Sequence, residues 1–268
     1  MLAALVLAFA PSVLAMSEVW AVVDYQAHGY LVPPVALAMA WSRREALARA
    51  GRRPMRSGPL WVSAAALAYA VGLLADLISL QGLAFPAALA AGVAWRRGRA
   101  ALGVLAFPIA YLFFMIPVPP QWLAPLVTGL QSFVTTVAIT LLHGLAVPAL
   151  REGNVLVLPE GSLFVAEACS GITSIVTLLP VAALLVFLAG NSLRQGAWLM
   201  LAVFPVAMFW NLVRVLTTVM ATRSLGVVKA TTGSLHDTAG MLTFVMGCLT
   251  LLALSSRTGH SRQVPVEK

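Results

Sequence analysis

Apolar residues in this chain fall neither in strict alternation nor on one helical face. They come in long runs broken by short polar stretches. A helix needs about 20 predominantly apolar residues to cross a bilayer. On that measure the pattern predicts eight spans, at 1–23, about 29–41, 59–79, about 83–95, 100–118, 170–189, 197–221 and 236–254. Two of them, 29–41 and 83–95, are short, and the first of these holds Pro33-Pro34. The opening run resembles a signal peptide at Val13-Leu14-Ala15, but no positive region precedes it, so it reads as a retained span.

The run 121–150 does not fit the series. It is long and apolar enough to cross, yet one crossing would invert every later loop. Gln131, Ser132, Thr135 and Thr136 give it a polar stripe, which predicts a re-entrant or interfacial helix on the outer side. Two β-prone runs follow, Arg151–Leu158 and Leu163–Ala166, around a Pro159–Ser162 turn, and they predict a β-hairpin. The expected fold is therefore an all-α polytopic membrane protein. It has about eight transmembrane helices, a re-entrant or interfacial helix and a short outer-side β-hairpin. Residues 1–255 read as a single integral membrane domain and 256–268 as a cytoplasmic tail.

Composition excludes a water-soluble domain. Hydrophobic residues make up 60% of the chain and charged residues 10%, against roughly 45–50% and 25% in soluble domains. The net charge of +8 is mostly arginine, and two short loops hold most of it: Arg43, Arg44, Arg49, Arg52, Arg53 and Arg56, then Arg96, Arg97 and Arg99. With the N-terminus inside, thirteen of the 17 basic residues face the cytoplasm, three face outward and Arg214 lies in a span. No basic face with interleaved aromatics suggests nucleic-acid binding, and membrane lipid head groups are the expected neighbours of the basic loops.

This topology brings three reactive residues to similar depth at the outer side. Cys169 immediately precedes the 170–189 helix, and His236 opens the last one. Arg214 sits seven residues from the predicted end of its span, about 10 Å below the boundary. An arginine within a span is a functional candidate because its insertion is costly, although snorkelling to the head groups is the plain alternative. A lone cysteine is often just a small buried apolar residue, and a lone histidine can be merely interfacial. Together the three suit thiol acyl transfer. A helix N-terminus and nearby cations favour a thiolate, histidine can move the proton, and arginine can stabilise the oxyanion. Asn211 shares a helix face with Arg214 and can orient it or donate to a substrate carbonyl. Asp237 is adjacent to His236 and so faces away from it. Cys248, about 18 Å down the last helix, reads as packing.

No zinc helix, nucleophile elbow or phosphate loop is present, and His28, His143 and His260 lack metal-ligand spacing, so no cofactor or metal is expected.

Three ordered motifs resemble the exosortase/archaeosortase family of membrane cysteine transpeptidases. They are Ala168-Cys169-Ser170-Gly171-Ile172, Asn211-Leu212-Val213-Arg214 and His236-Asp237-Thr238-Ala239-Gly240. The segment from Tyr25 to Pro33 is similar to the family's early His-Gly-hydrophobic-Pro stretch. The resemblance implies Cys169 as nucleophile, Arg214 as transition-state stabiliser and His236 as acid/base, with Asn211, Ser170 and Gly171 in support. It also implies substrates: exported proteins with a C-terminal sorting tail of a short Pro-Glu-Pro-like motif, a hydrophobic span and a basic end. The active site would face the periplasm from a bacterial inner membrane. Thr173 departs from the arginine common in the family after the Cys-Ser-Gly run, which leaves the tail motif open. The competing readings are a transporter or channel component, for which the chain lacks inverted repeats, and an assembly factor for an exported polysaccharide.

Overall fold

The computed structural model describes the backbone of residues 2–165, 169–231 and 234–259, and side chains over 7–165, 169–231 and 237–257. The chain divides into two compact units, Met1–Pro119 and Pro120–Lys268.

The first unit holds α1 (Leu2–Val22), a 3-10 turn at Asp24–Tyr30, α2 (Val32–Ser42), α3 (Arg44–Arg49), α4 (Gly58–Leu74), α5 (Ile78–Arg97) and α6 (Arg99–Tyr111). A second 3-10 turn, Leu112–Met115, extends α6. Small residues let the helices approach closely: Ala65, Ala84 and Ala88 pack with Phe9 in a buried cluster. A polar lock crosses the same interface. Ser12 Oγ donates to Gln81 Oε1 at 2.7 Å, and Gln81 Nε2 donates to the Gly72 carbonyl at 3.0 Å.

α2 is only 11 residues long, about 17 Å and too short to cross alone. The chain nevertheless runs the length of α6 between residues 28 and 53. His28 Nε2 meets the Phe114 carbonyl just beyond one end of α6. At the other end the Arg53 amide donates to the Arg97 carbonyl, and Arg53 bridges to Gly98. The predicted short second span corresponds to α2, α3 follows it within the arginine-rich loop, and both arginine clusters come to the same end of the unit.

The opposite end is held by side chains. The segment 114–118 leaves helix on the way to Pro119-Pro120, and its carbonyls lose their helical donors. Trp20 Nε1 donates to Met115 O at 3.0 Å, Gln26 Nε2 to Val118 O at 3.1 Å and Ser79 Oγ to Pro117 O at 2.7 Å. His28 Nε2 must be the donor to Phe114 O, because a carbonyl only accepts, and burial pushes the His28 pKa down, favouring the neutral ring. Gly29 leaves room for the Trp20 ring, which a Cβ would meet at 2.4 Å.

The second unit holds α7 (Pro120–Gly144), β1 (Leu150–Glu152), β2 (Val155–Leu158), β3 (Gly161–Phe164), α8 (Ile172–Ala189), α9 (Leu193–Leu225), α10 (Val227–Thr231) and α11 (Ser234–Gly259). α8, α9 and α11 enclose a core of Leu178, Ala182, Leu199, Val203, Ala207 and Leu251. Cys248 packs against this core, and both cysteines are free thiols. A capping box between Ser192 and Gln195 starts α9.

The expected hairpin is a three-stranded antiparallel sheet in the order β1-β2-β3. The added strand enters through Gly153-Asn154, a two-residue loop whose glycine sits at φ +62. The 121–150 run folds as one unbroken helix through residue 144, with no mid-course turn of the re-entrant kind. Its polar stripe seats the sheet. Gln131 Nε2 donates to Val165 O, Asn154 Nδ2 donates to Gln131 Oε1, and Arg151 donates to Ser132 and Thr136.

Five helices among the described residues are long and apolar enough to cross a membrane, in α5, α7, α8, α9 and α11. Shorter apolar helices lie at Leu7–Val22, Gly58–Leu74 and Arg99–Met115. The fold is all-α and polytopic, with one small sheet.

Gly98 tests the contact between the arginine loops. It has φ +91, and a Cβ there would lie 2.1 Å from the Arg53 carbonyl. Gly98→Ala should lower the melting temperature in detergent, with at least the roughly 1–2 kcal/mol that a left-handed alanine costs. Gly103→Ala, in open space on α6, should be neutral or stabilising. Equal behaviour of the two variants would refute the contact.

Candidate active site

β3 ends at Phe164, and five residues later the chain reaches Cys169 by way of 166–168, which lie outside the described residues. Cys169 is partly buried. The turn behind it is fixed by glycine. Gly171, at the N-cap of α8, has φ +93, and a Cβ there would meet Met208 Sδ at 3.0 Å and Asn211 Nδ2 at 3.4 Å. Ser170 is fully buried, and its Oγ accepts from the Ile172 amide at 3.2 Å, satisfying one orphan donor of the helix start. Cys169 therefore sits just outside the positive end of the α8 dipole.

Asn211 does something other than the sequence suggested. Its Nδ2 donates to the Cys169 carbonyl at 2.7 Å, so it holds the backbone of the cysteine. Asn211 is 1% exposed, and its Oδ1 accepts no hydrogen bond among the described residues. The Thr173 hydroxyl is buried next to this turn, likewise without a partner among the described residues.

Arg214 lies one turn beyond Asn211 on α9. Its charge acts on the Cys169 thiol: burial pushes the thiol pKa up, and Arg214 pulls it down. The other side of the guanidinium is set by α11. Gly240 lies flat against it, and a Cβ on Gly240 would come within 3.3 Å of Arg214 Nη2. His236 is in the first turn of α11, one turn before Gly240 and on the same helix face. The His236 side chain lies outside the described residues. Asp237 is exposed. The backbone thus brings together all three motifs, which are separated by more than forty residues between Cys169 and Asn211 alone.

α9 runs past the predicted end of its span, for 33 residues to Leu225. That is about 50 Å, well beyond the roughly 30 Å of bilayer hydrocarbon.

Beside Cys169 is a cavity of about 110 Å³, lined also by Leu163, Phe164 and Val165 and by Val215 and Thr218 of α9, with Thr231 of α10 closing it. Sequence reasoning missed these walls. Thr218 was the one legible from spacing, being one turn after Arg214, whose carbonyl accepts its Oγ1 at 2.9 Å. A larger cavity of about 310 Å³ between α7 and α9 has only apolar walls, such as Phe133, Phe204 and Leu212, and no group that can do acid-base chemistry. Among the described residues no three of His, Cys, Asp and Glu gather as a metal site.

No curated protein and no solved structure matches the chain. A family model described as transmembrane exosortase matches residues 20–253. The matched stretch includes the Trp20 and His28 pins, the sheet and all three motifs around Cys169, Arg214 and His236. The chain belongs to the transmembrane exosortase family.

Proposed function

We propose that this protein is a membrane cysteine transpeptidase that removes C-terminal sorting tails from exported proteins and passes the acyl group to a surface acceptor. The observation that carries this reading is the junction at Cys169: Asn211 grips its carbonyl, and Arg214 stands between its thiol and the His236 face of α11.

In the proposed reaction the Cys169 thiolate attacks the scissile carbonyl, forming a C–S bond. Arg214 stabilises the tetrahedral oxyanion, in a partly desolvated site where a cation acts strongly. His236 protonates the leaving amine as the C–N bond breaks, and a thioester remains. An acceptor amine then attacks the thioester, His236 takes its proton, and the thiol is regenerated. Water as acceptor gives hydrolysis instead.

The orientation follows from charge. Both arginine clusters at one end of the first unit belong on the cytoplasmic side. In the second unit Cys169 and the sheet stand at the end of α8 and α9 opposite Arg194, so the site faces the periplasm of a bacterial inner membrane. α7 then lies at the outer interface. A crossing would carry Arg151 and Glu152, which sit along its middle, into hydrocarbon at about 2.5–3.5 kcal/mol for a charge at the centre.

Co-expression with a tail-bearing exported protein tests the reading through the mass of that protein. The wild type should remove the tail, and the new C-terminal mass separates transfer from hydrolysis. Cys169→Ala, Arg214→Ala and His236→Ala should each abolish removal while still inserting, and Cys248→Ala should process normally. Tail removal by Cys169→Ala would exclude the thioester route.

Thiol titration tests Arg214 separately. In a Cys248→Ala background, Arg214→Gln should slow alkylation of Cys169 by iodoacetamide at neutral pH and move its pH profile upward, since the cation that lowers the thiol pKa is gone. An unchanged profile would remove Arg214 from the nucleophile's surroundings.

A further inference from the structure

We propose that the outer edge of β3 is the peptide-binding strand: the substrate's recognition segment adds to it in extended form, parallel to β3, and so delivers its scissile carbonyl to Cys169. This rests on the transpeptidase reading above and specifies how that site takes its substrate.

The strand order β1-β2-β3 leaves β3 at an edge. The register says which of its backbone groups face outward. Leu158 pairs with Gly161 across the Pro159-Glu160 loop, and the Val165 amide donates to the Asn154 carbonyl at 2.9 Å. Residues 161, 163 and 165 therefore turn their N–H and C=O groups toward β2. By alternation, Ser162 and Phe164 turn theirs away from it. An outward row of this kind pairs readily with an extended peptide, whose main chain supplies affinity while alternate side chains supply specificity.

The edge leads to the nucleophile. Leu163, Phe164 and Val165 line the same cavity as Cys169, with Val215 and Thr218 on the opposite wall. Val227 of α10 sits over Gly161, its methyl 2.8 Å from where a Cβ would be. Ser162 and Phe164, the two residues whose backbone groups face outward, are exposed.

The direction follows from the course of β3 along α9. Glu160, at its start, pairs with Arg223 at 3.5 Å. Leu163, Phe164 and Val165 share a cavity with Val215 and Thr218, between those two ends. Cys169 then meets Asn211. β3 thus descends α9 toward the membrane. A peptide whose C-terminal side enters the bilayer must descend with it, hence parallel. In a parallel pair one edge residue bonds two residues of its partner that are two apart, so every second amide of the substrate is engaged.

The test uses full-length wild-type enzyme in detergent and a synthetic peptide holding the recognition segment, the cleavage site and the hydrophobic tail. A set of peptides carries one N-methyl amide each, at successive positions, and kcat/KM is read by mass spectrometry. Methylation at every second position should reduce kcat/KM about tenfold, and the intervening positions much less. A second arm compares Phe164→Pro, which deletes the outward N–H without touching the β2 pairing, with Phe164→Ala, which keeps it. The proline variant should show the higher KM, with Cys169 alkylation equal in both. Efficient processing with no two-residue period, or equal KM in the two variants, would overturn strand addition and leave the transpeptidase reading standing. No processing of the unmethylated peptide and no acylation of Cys169 would overturn both.

Discussion

A carbonyl that leaves a helix beside a bilayer has little water to turn to, and the whole structure answers that constraint with side-chain donors. At several breaks, beside the backbone amides that close the other helix ends, an amide, indole, imidazole or hydroxyl reaches across to the exposed oxygen. Gln81 serves Gly72, and Trp20, Gln26, His28 and Ser79 serve the segment 114–118. Gln131 serves Val165, and Asn211 serves Cys169. Each bond costs little to form, because the alternative is an unsatisfied polar group in a poor solvent. All but the Gln81–Gly72 bond also link segments more than thirty residues apart, so satisfying the backbone and fixing the tertiary arrangement are one event.

At the candidate site this has a chemical consequence. A nucleophile on a turn is held only as well as its backbone. Gly171 gives the turn a conformation open mainly to glycine, Ser170 satisfies the first amide of α8, and Asn211 fixes the carbonyl of Cys169 itself. The thiol is left as the part of the turn that lines a cavity. Glycine recurs on the other side, where Gly240 lets α11 approach the Arg214 guanidinium. A side chain there would push away the helix that carries His236. In the proposed reaction the two glycines and the asparagine are thus positioning residues for Cys169, Arg214 and the helix that carries His236.

The sequence was informative where lipid imposes a rule. Run length marked most of the helices, and loop charge grouped the arginines that the structure brings to one end of the first unit. The ordered motifs placed Cys169, Asn211, Arg214 and His236 in one neighbourhood. Three features escaped for physical reasons. β1 is three residues long, too short for any alternation to register, and it lies largely inside the single β-prone run Arg151–Leu158. The 29–41 run ends where α2 does, but hydropathy does not show that α3 follows at once. The grip of Asn211 on the Cys169 carbonyl is not readable from spacing, which reveals helix faces such as the one shared with Arg214, whereas this partner is 42 residues away on another element.

The length of α9 shows why the end of an apolar run and the end of a helix must be kept apart. Hydropathy marks where lipid ends; hydrogen bonding decides where the helix does. About 20 of its residues suffice for the hydrocarbon, and the remainder forms a post; across the junction Asn211, Thr218 and Arg223 meet successive points of the chain from Cys169 back to Glu160. In the proposed orientation Arg214 stands where post and span meet. Deeper, its insertion would approach the full cost of a buried charge. Higher, water would screen its pull on the thiol. The boundary is the depth at which an arginine can be inserted at modest cost and still act on Cys169 through a medium of low dielectric. In the proposed orientation it is also the depth at which a peptide emerging from the bilayer first offers an extended backbone, beside the end of β3 that shares a cavity with Cys169.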